Sequence, residues 1–297
     1  ENLTFIKKIN QDYIFDRGSH ILEKPLVIPT GHNLVIKDGT KIFMDNKSFI
    51  YIKDGNLISR GKETNLVEFK ALNENWGGIL VSNSSNSEIK NTTFEKMGYY
   101  NDNWSNIFLT GSINFYNSKV NFDGVNFKFS FAEDALNIVN SKFNLNNIIF
   151  EESLSDALDI DFSNGIISNF KFSYINGDAI DTSGSNVKII NGVINQTGDK
   201  GISIGENSEI TAEEIKISDS FIGLAIKDQS LLNLDKVTFS KNKTDISAYL
   251  KKSFYEKGGK AIITNYSPDK IFVKKDKFSE LIFNNKEFKT VNFDYAQ

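Results

Sequence analysis

The 297 residues contain no cysteine, so neither disulfides nor thiol chemistry contributes to fold or mechanism. Only two histidines occur, His20 and His32, both near the N-terminus. Any reaction centred elsewhere in the chain must therefore use carboxylates, Lys, Tyr or a metal. No run approaches the ~18–20 apolar residues that span a bilayer, so no membrane span is expected. The formal net charge of −4 lacks the basic excess of a nucleic-acid groove, which argues against a nucleic-acid partner. No Gly-rich phosphate loop, His/Cys metal constellation or Ser-His-Asp arrangement stands out. No basic-then-apolar leader follows Glu1, so any signal peptide is expected to have been removed. Hydrophobic residues make up 39%, as expected of a soluble chain of one elongated domain or two compact ones.

What is present is a repeat. Six segments begin almost alike: Asp134-Ala-Leu-Asn-Ile, Asp156-Ala-Leu-Asp-Ile, Asp178-Ala-Ile-Asp-Thr, Lys200-Gly-Ile-Ser-Ile, Ile222-Gly-Leu-Ala-Ile and Thr244-Asp-Ile-Ser-Ala. Each starts 22 residues after the last. Gly78-Ile-Leu-Val and Ser112-Ile-Asn-Phe extend the frame backwards, with an insertion making one unit 34 residues long. Leu158/Ile160, Ile180/Thr182 and Ile202/Ile204 mark one parity of a strand. Two further strand signals follow in each unit. Polar turns such as Asn117-Ser, Asn140-Ser, Asn164-Gly and Asn207-Ser mark a corner, where Asn, Ser and Gly tolerate a tight or left-handed backbone.

Three short strands per ~22 residues predict a parallel β-solenoid, in which no coil buries its apolar face alone and stacking makes a continuous core. The expected fold is all-β, with about ten coils of ~22 residues, capped at both ends. The repeating part is read as 33–250. Residues 1–32, with Pro25 and Pro29, are read as an N-terminal cap. Residues 251–297 are read as a C-terminal cap or appended strands: Ala261–Thr264, Lys270–Val273 and Leu281–Phe283 look like strands, and the lysines from Lys251 on read as solvated. With these features the chain resembles the right-handed, single-stranded parallel β-helices of the pectate-lyase-like superfamily, and the handedness is implied by that resemblance. A leucine-rich repeat would need a Leu/Asn consensus that is absent.

If Leu158 and Ile160 point inward, Ala157, Asp159 and Asp161 point outward by the period-two rule. The small column Gly78, Ser112, Ala135, Ala157, Ala179, Gly201, Gly223 then reads either as the floor of a shallow groove or as a corner that admits no larger side chain. Beside it run three polar ladders: Asp134, Asp156, Asp178, Lys200; then Asn114, Asn137, Asp159, Asp181, Ser203; then Asp161, Ser183, Gly205, Lys227. Carboxylates one coil apart, ~5 Å at the backbone, require a shared proton, a cation or hydrogen-bonded neutralisation. For corner Asp residues such as Asp156 and Asp178, turn-stabilising hydrogen bonds are an explanation that needs no function and stands beside the catalytic one. Asp159, Asp161 and Asp181 are mid-strand, where Asp is a poor strand former, and are candidates for function. Ca²⁺, which takes several oxygens at 2.3–2.6 Å, is the metal that Asp159, Asp161 and Asp181 would hold; no other cofactor is indicated.

The runs Ser155-Asp156-Ala-Leu-Asp159-Ile-Asp161, Gly177-Asp178-Ala-Ile-Asp181, Gly198-Asp199-Lys200-Gly-Ile-Ser203 and Ala225-Ile-Lys227 resemble the polygalacturonase-type glycoside hydrolases. Asp156 matches that family's first Asp, Asp178 the first Asp of its pair and Lys227 its last Lys. Ala179 stands in place of the second Asp, Asp199-Lys200 in place of the His region and Ala225 in place of the Arg. The repeated Asp-Ala-Leu-Asp and Gly-Asp-Lys-Gly-Ile-Ser motifs are also similar to β-helix proteins found beside spore-coat-H-like proteins in bacterial surface systems. That second resemblance implies other surface-assembly proteins as partners.

Together these readings give an expected function. The chain is a carbohydrate-active hydrolase or lyase, secreted, periplasmic or on the cell surface, acting on an anionic polysaccharide. Asp159, Asp181, Asp161, Asp178, Asp156, Lys200 and Lys227 form the catalytic set. Asn114, Asn137 and Ser203, with Tyr99, Tyr100 and Trp104 of the inserted loop, form the substrate-binding set. The competing expectation is a non-catalytic glycan-binding or structural module whose Asp ladders stabilise turns or bind calcium.

Overall fold

The structure, a computed structural model, describes residues 5–99, 109–266 and 271–292. Among them every regular element is a strand. The chain divides into two compact units, residues 1–155 and 156–297.

In the first unit, Leu26–Ile28, Ile50–Lys53, Ile79–Ser82, Gly111–Tyr116 and Asp134–Val139 stack in parallel as one face. Equivalent apolar residues pair from turn to turn: Ile50 with Ile79, Ile79 with Ile113, Ile113 with Leu136. The opposite face begins as two strands per turn, such as Asn33–Lys37 and Thr40–Met44. It then fuses into long bent strands, Ser87–Met97, Lys119–Ser130 and Lys142–Ser153. The bend is made at Asn91, Gly124 and Asn147, with φ of 44°, 67° and 51°, the left-handed region that Asn and Gly reach most readily.

The second unit repeats the plan. Its first face is Asp156–Asp161, Ile180–Ser183, Lys200–Gly205, Ile222–Lys227, Thr244–Tyr249 and Val273–Lys275. Leu158, Ile180, Ile202, Leu224 and Ile246 form its inward ladder. The two units carry five and six such strands, about 11 turns in the chain, against the ten expected.

The parallel ladder extends beyond the stretch in which the repeat is legible. Asp12 already pairs with Asn33 and Leu26 with Ile50, so the N-terminal cap is the antiparallel hairpin of Ile6–Ile9 with Asp12–Phe15. At the other end Leu232 pairs with Ala261 and Ala261 with Leu281, and an antiparallel pair, Ile282 with Glu287, closes the sheet. Side-chain bonds reinforce the register there: the Asn33 amide donates to Asp12 at 2.8 Å and the Thr264 hydroxyl to Asp235 at 2.8 Å.

The small-residue column is not a groove floor. Ala157, Ala179 and Ser112 are fully buried and Ala135 is 1% exposed. A Cβ on Gly201 would lie 2.6 Å from the Gly223 carbonyl oxygen and 2.8 Å from Ile217 Cγ2. The column is small because each strand enters its coil against the next backbone and the opposite face, the corner alternative named above.

In the first unit a phenylalanine ladder fills the interior. Phe69, Phe94, Phe127 and Phe150 are each at most 1% exposed. Neighbouring ring centroids lie 4.9, 5.3 and 4.2 Å apart.

Candidate active site

The outward side chains of three consecutive strands, Asp156–Asp161, Ile180–Ser183 and Lys200–Gly205, supply most of the site. The register sets Asp159 opposite Asp181, Asp181 opposite Ser203, and Asp161 opposite Ser183. The inward Leu158, Ile160, Ile180, Ile202 and Ile204 are at most 2% exposed and fix the strands that carry them.

At the corner entering these strands, Asp156 Oδ1 accepts the Asp178 N–H at 2.8 Å and Asp178 Oδ1 accepts the Lys200 N–H at 2.9 Å. The aspartates thus bind the backbone of the next coil, as turn-stabilising residues do. Lys200 Nζ donates to both Asp178 oxygens at 3.2 and 3.3 Å and to Asp199. Burial pulls the Lys200 ammonium down, but Asp178 and Asp199 more than reverse this and leave its pKa raised. Burial also raises Asp178, outweighing the opposing pull of Lys200. The Lys200 ammonium faces both Asp178 oxygens and so keeps its proton.

Carboxylate oxygens of Asp156, Asp178 and Asp181 come within 4.8 Å of one another. This is the acidic trio, among the described residues, that a cation could draw on. Asp159 and Asp161 lie outside it, and Lys200 already supplies Asp178 with positive charge.

Asp181 Oδ1 accepts the Thr182 N–H at 2.9 Å and lies 4.0 Å from Lys227 Nζ. Lys227 Nζ donates to Ser203 Oγ at 2.6 Å. Gly205 leaves the lysine its path, since a Cβ there would stand 3.3 Å from Lys227 Cε. Lys227 is 6% exposed and Ser203 fully buried. Burial lowers the pKa of Lys227, with Asp181 opposing.

Asp161 remains partly open to solvent. Burial, then Asp181, then Glu206 push its carboxyl up to about 6, against the pull of Lys252. Glu206 and Lys252 form an ion pair 46 residues apart in sequence. Asp228, 1% exposed, holds that partner loop by accepting the N–H groups of Lys251 at 2.7 Å and Lys252 at 2.9 Å. Glu206 and Lys252 are site residues that sequence reasoning missed. Lys252 sits in the run read as solvated, and no local pattern pairs it with Glu206.

Of the expected substrate contacts, Asn114 and Asn137 belong to the first unit and are 5% and 6% exposed. The Asn114 amide donates to the Gly111 carbonyl at 2.6 Å, and that of Asn137 to Asp134 at 3.2 Å, so both brace their own turn. Tyr99 is 49% exposed, whereas Tyr100 and Trp104 lie outside the described residues.

No family model matches the chain, and neither does any curated protein. Among solved structures, the periplasmic alginate epimerase AlgG is similar at a TM-score of 0.51 and 12% identity, over 94% of this chain and 80% of that one. The catalytic domain of a GH87 α-1,3-glucanase in complex with nigerose follows at 0.43 and 12%, over 85% and 60%. An endo-xylogalacturonan hydrolase from Aspergillus tubingensis gives 0.33 and 10%, over 89% and 90%. The coil stacking and the likeness to AlgG define the class: the protein is a parallel β-helix of the pectate-lyase-like fold.

Proposed function

We propose that the protein cleaves an anionic polysaccharide outside the cytoplasm, as a hydrolase with Asp161 as proton donor and Asp181 as the second carboxylate. The observation that carries this reading is the placement of two strand carboxylates on neighbouring coils, Asp181 within its strand and Asp161 at the end of its own, with Asp161 partly open to solvent and raised to about 6. A carboxyl that keeps its proton near neutrality can protonate a glycosidic oxygen, and a negative neighbour can activate water. Asp181 retains a 29% exposed side chain within reach of Lys227, so it is both accessible and electrostatically supported. Lys227, 4.0 Å from Asp181, is the cation of the site suited to a sugar carboxylate, since Lys200 is held by Asp178 and Asp199. The AlgG comparison supports the substrate class, since alginate is an anionic polymer and that enzyme is periplasmic.

Asp161 sits diagonally from Asp181 across two strands, which places their Cα atoms about 8 Å apart on a regular sheet. On that backbone separation the proposal is inversion, which needs carboxyls ~6.5–9.5 Å apart, rather than retention, which needs ~5–5.5 Å. The test is a panel of acidic polysaccharides read by reducing-end release and by proton NMR of the first product anomer. Inversion is the expected result. A net retained anomer, or no release from any acidic polymer, overturns the reading.

One observation favours elimination as a second reading. The buried Lys227 amine, with its lowered pKa, has the character of a base. An unsaturated product absorbing near the ultraviolet edge, lost in Lys227→Met, would select it over hydrolysis.

A further inference from the structure

We propose that two aromatic platforms, the exposed Phe162 on one side and the exposed Phe254 backed by Tyr255 on the other, bind successive sugars of an acidic glycan along the edge of the Asp161 site. The proposal deepens the reading above by assigning the surface that holds the substrate chain and the charge it must carry.

Phe162 directly follows Asp161 and turns the corner with φ of 49°, an uncommon conformation for a bulky residue. It is 61% exposed. Its ring lies over Gly184, where a Cβ would meet Phe162 Cδ1 at 2.7 Å. The missing side chain one coil on thus lets the ring lie flat along the surface. Glu206 occupies the next left-handed corner, with φ of 59°, and carries the ion pair to Lys252. Two residues beyond Lys252, Phe254 is 74% exposed, with its ring 4.6 Å from that of Tyr255.

The loop bearing this second platform is held rigidly. Asp228 takes two of its N–H groups, Gln229 donates its N–H to Lys257 and Gly258 carbonyls at 3.1 Å, and the Gln229 side chain accepts the Glu256 N–H at 3.0 Å. Gly259 passes so close to the neighbouring strand that a Cβ would sit 2.3 Å from the Ile226 carbonyl oxygen. An exposed Phe254 ring on a fixed loop, backed by the half-buried Tyr255, is a preorganised contact surface. Aromatic faces suit the apolar faces of pyranose rings. The charge on the loop selects among them. Lys251 and Lys257 are exposed and enter no ion pair among the described residues, so an anionic sugar complements this edge.

The test is calorimetric titration of the full chain with hexasaccharides of galacturonate and of mannuronate, with neutral cellohexaose as control. Wild type is expected to bind an acidic hexasaccharide in preference to the neutral one. Phe162→Ala and Phe254→Ala should each weaken binding about fivefold, with melting unchanged for Phe254→Ala. The double variant Lys251→Gln/Lys257→Gln should erase the preference for acid. The inference is overturned if no hexasaccharide binds wild type, if the neutral one binds as well, or if both alanine variants match wild type. Its failure is distinct from failure of the catalytic reading. Aromatic-dependent binding without any cleavage would leave this inference standing and remove the other. Cleavage with an unaltered KM in both alanine variants would do the reverse.

Discussion

Asp161→Asn is expected to lower kcat on the acidic substrate by about 10²–10⁴-fold, the usual share of a positioned general acid. The same substitution is expected to raise the melting temperature above pH 6. The two effects share one cause. The Asp161 carboxyl titrates at about 6 in the folded chain, chiefly because burial and the negative charge of Asp181 oppose its ionisation. In the unfolded chain it titrates near 3.9. The native state therefore holds its proton more tightly. Its contribution to stability is complete below about pH 3.9 and is lost as pH rises through about 6. Asn has no charge to desolvate, so the variant escapes that loss. The activity profile of the wild type should fall on the alkaline side near the same pH, as the donor loses its proton. Thermal melts at pH 4 and pH 8, with kcat measured across that range, check the set. An Asp161→Asn protein that keeps its activity and melts lower at pH 8 would identify Asp161 as a structural residue instead.

Phe127→Ala is expected to cost about 3–5 kcal/mol of unfolding free energy. The Phe127 ring stacks 4.2 Å from Phe150 at 4°, lies 5.3 Å from Phe94 and contacts Phe122 at 6.0 Å. It is 1% exposed, so its removal leaves a cavity walled by other rings. The strands on either side are fixed by their own hydrogen bonds and cannot collapse into that space. In a solenoid each coil touches only its neighbours, so the lost stacking weakens two interfaces at once. Chemical denaturation should show a lower midpoint. A change below ~1 kcal/mol would mean that the ladder is not the core of this unit. Phe254→Ala removes a side chain of equal size and should leave stability unchanged, because that ring is 74% exposed.

Much of the fold was legible because each solenoid coil must solve the same packing problem. Leu158, Ile180, Ile202 and Leu224 recur every 22 residues since each stacks on the last, and the pairing follows that frame without a slip. The 34-residue unit also keeps register, with Leu80 opposite Asn114, so its extra length is accommodated outside the ladder. Legibility failed at the ends. The coils beginning at Asp12 and at Lys260 belong to the ladder, yet they lie outside the repeat read over 33–250, and Ala261–Thr264 reads in the sequence only as an isolated strand. It failed again for the small column, where strict alternation pointed Ala157 and Ala179 outward, whereas both are fully buried at the coil's entry corner.

The sequence by itself determined the parallel stacking, the identity of the inward ladder, and the three coils on which carboxylates and lysines concentrate. These follow from periodicity, which is a property of the chain. Only the tertiary structure decided how those charges divide. Asp156 and Asp178 are bound to the backbone of the next coil and, for Asp178, to Lys200. Asp161 is left partly open, with its proton affinity raised first by burial and then by Asp181 and Glu206, against Lys252. Lys252 reaches Glu206 from two coils away, and a pairing of that kind depends on distances in space that no repeat length encodes.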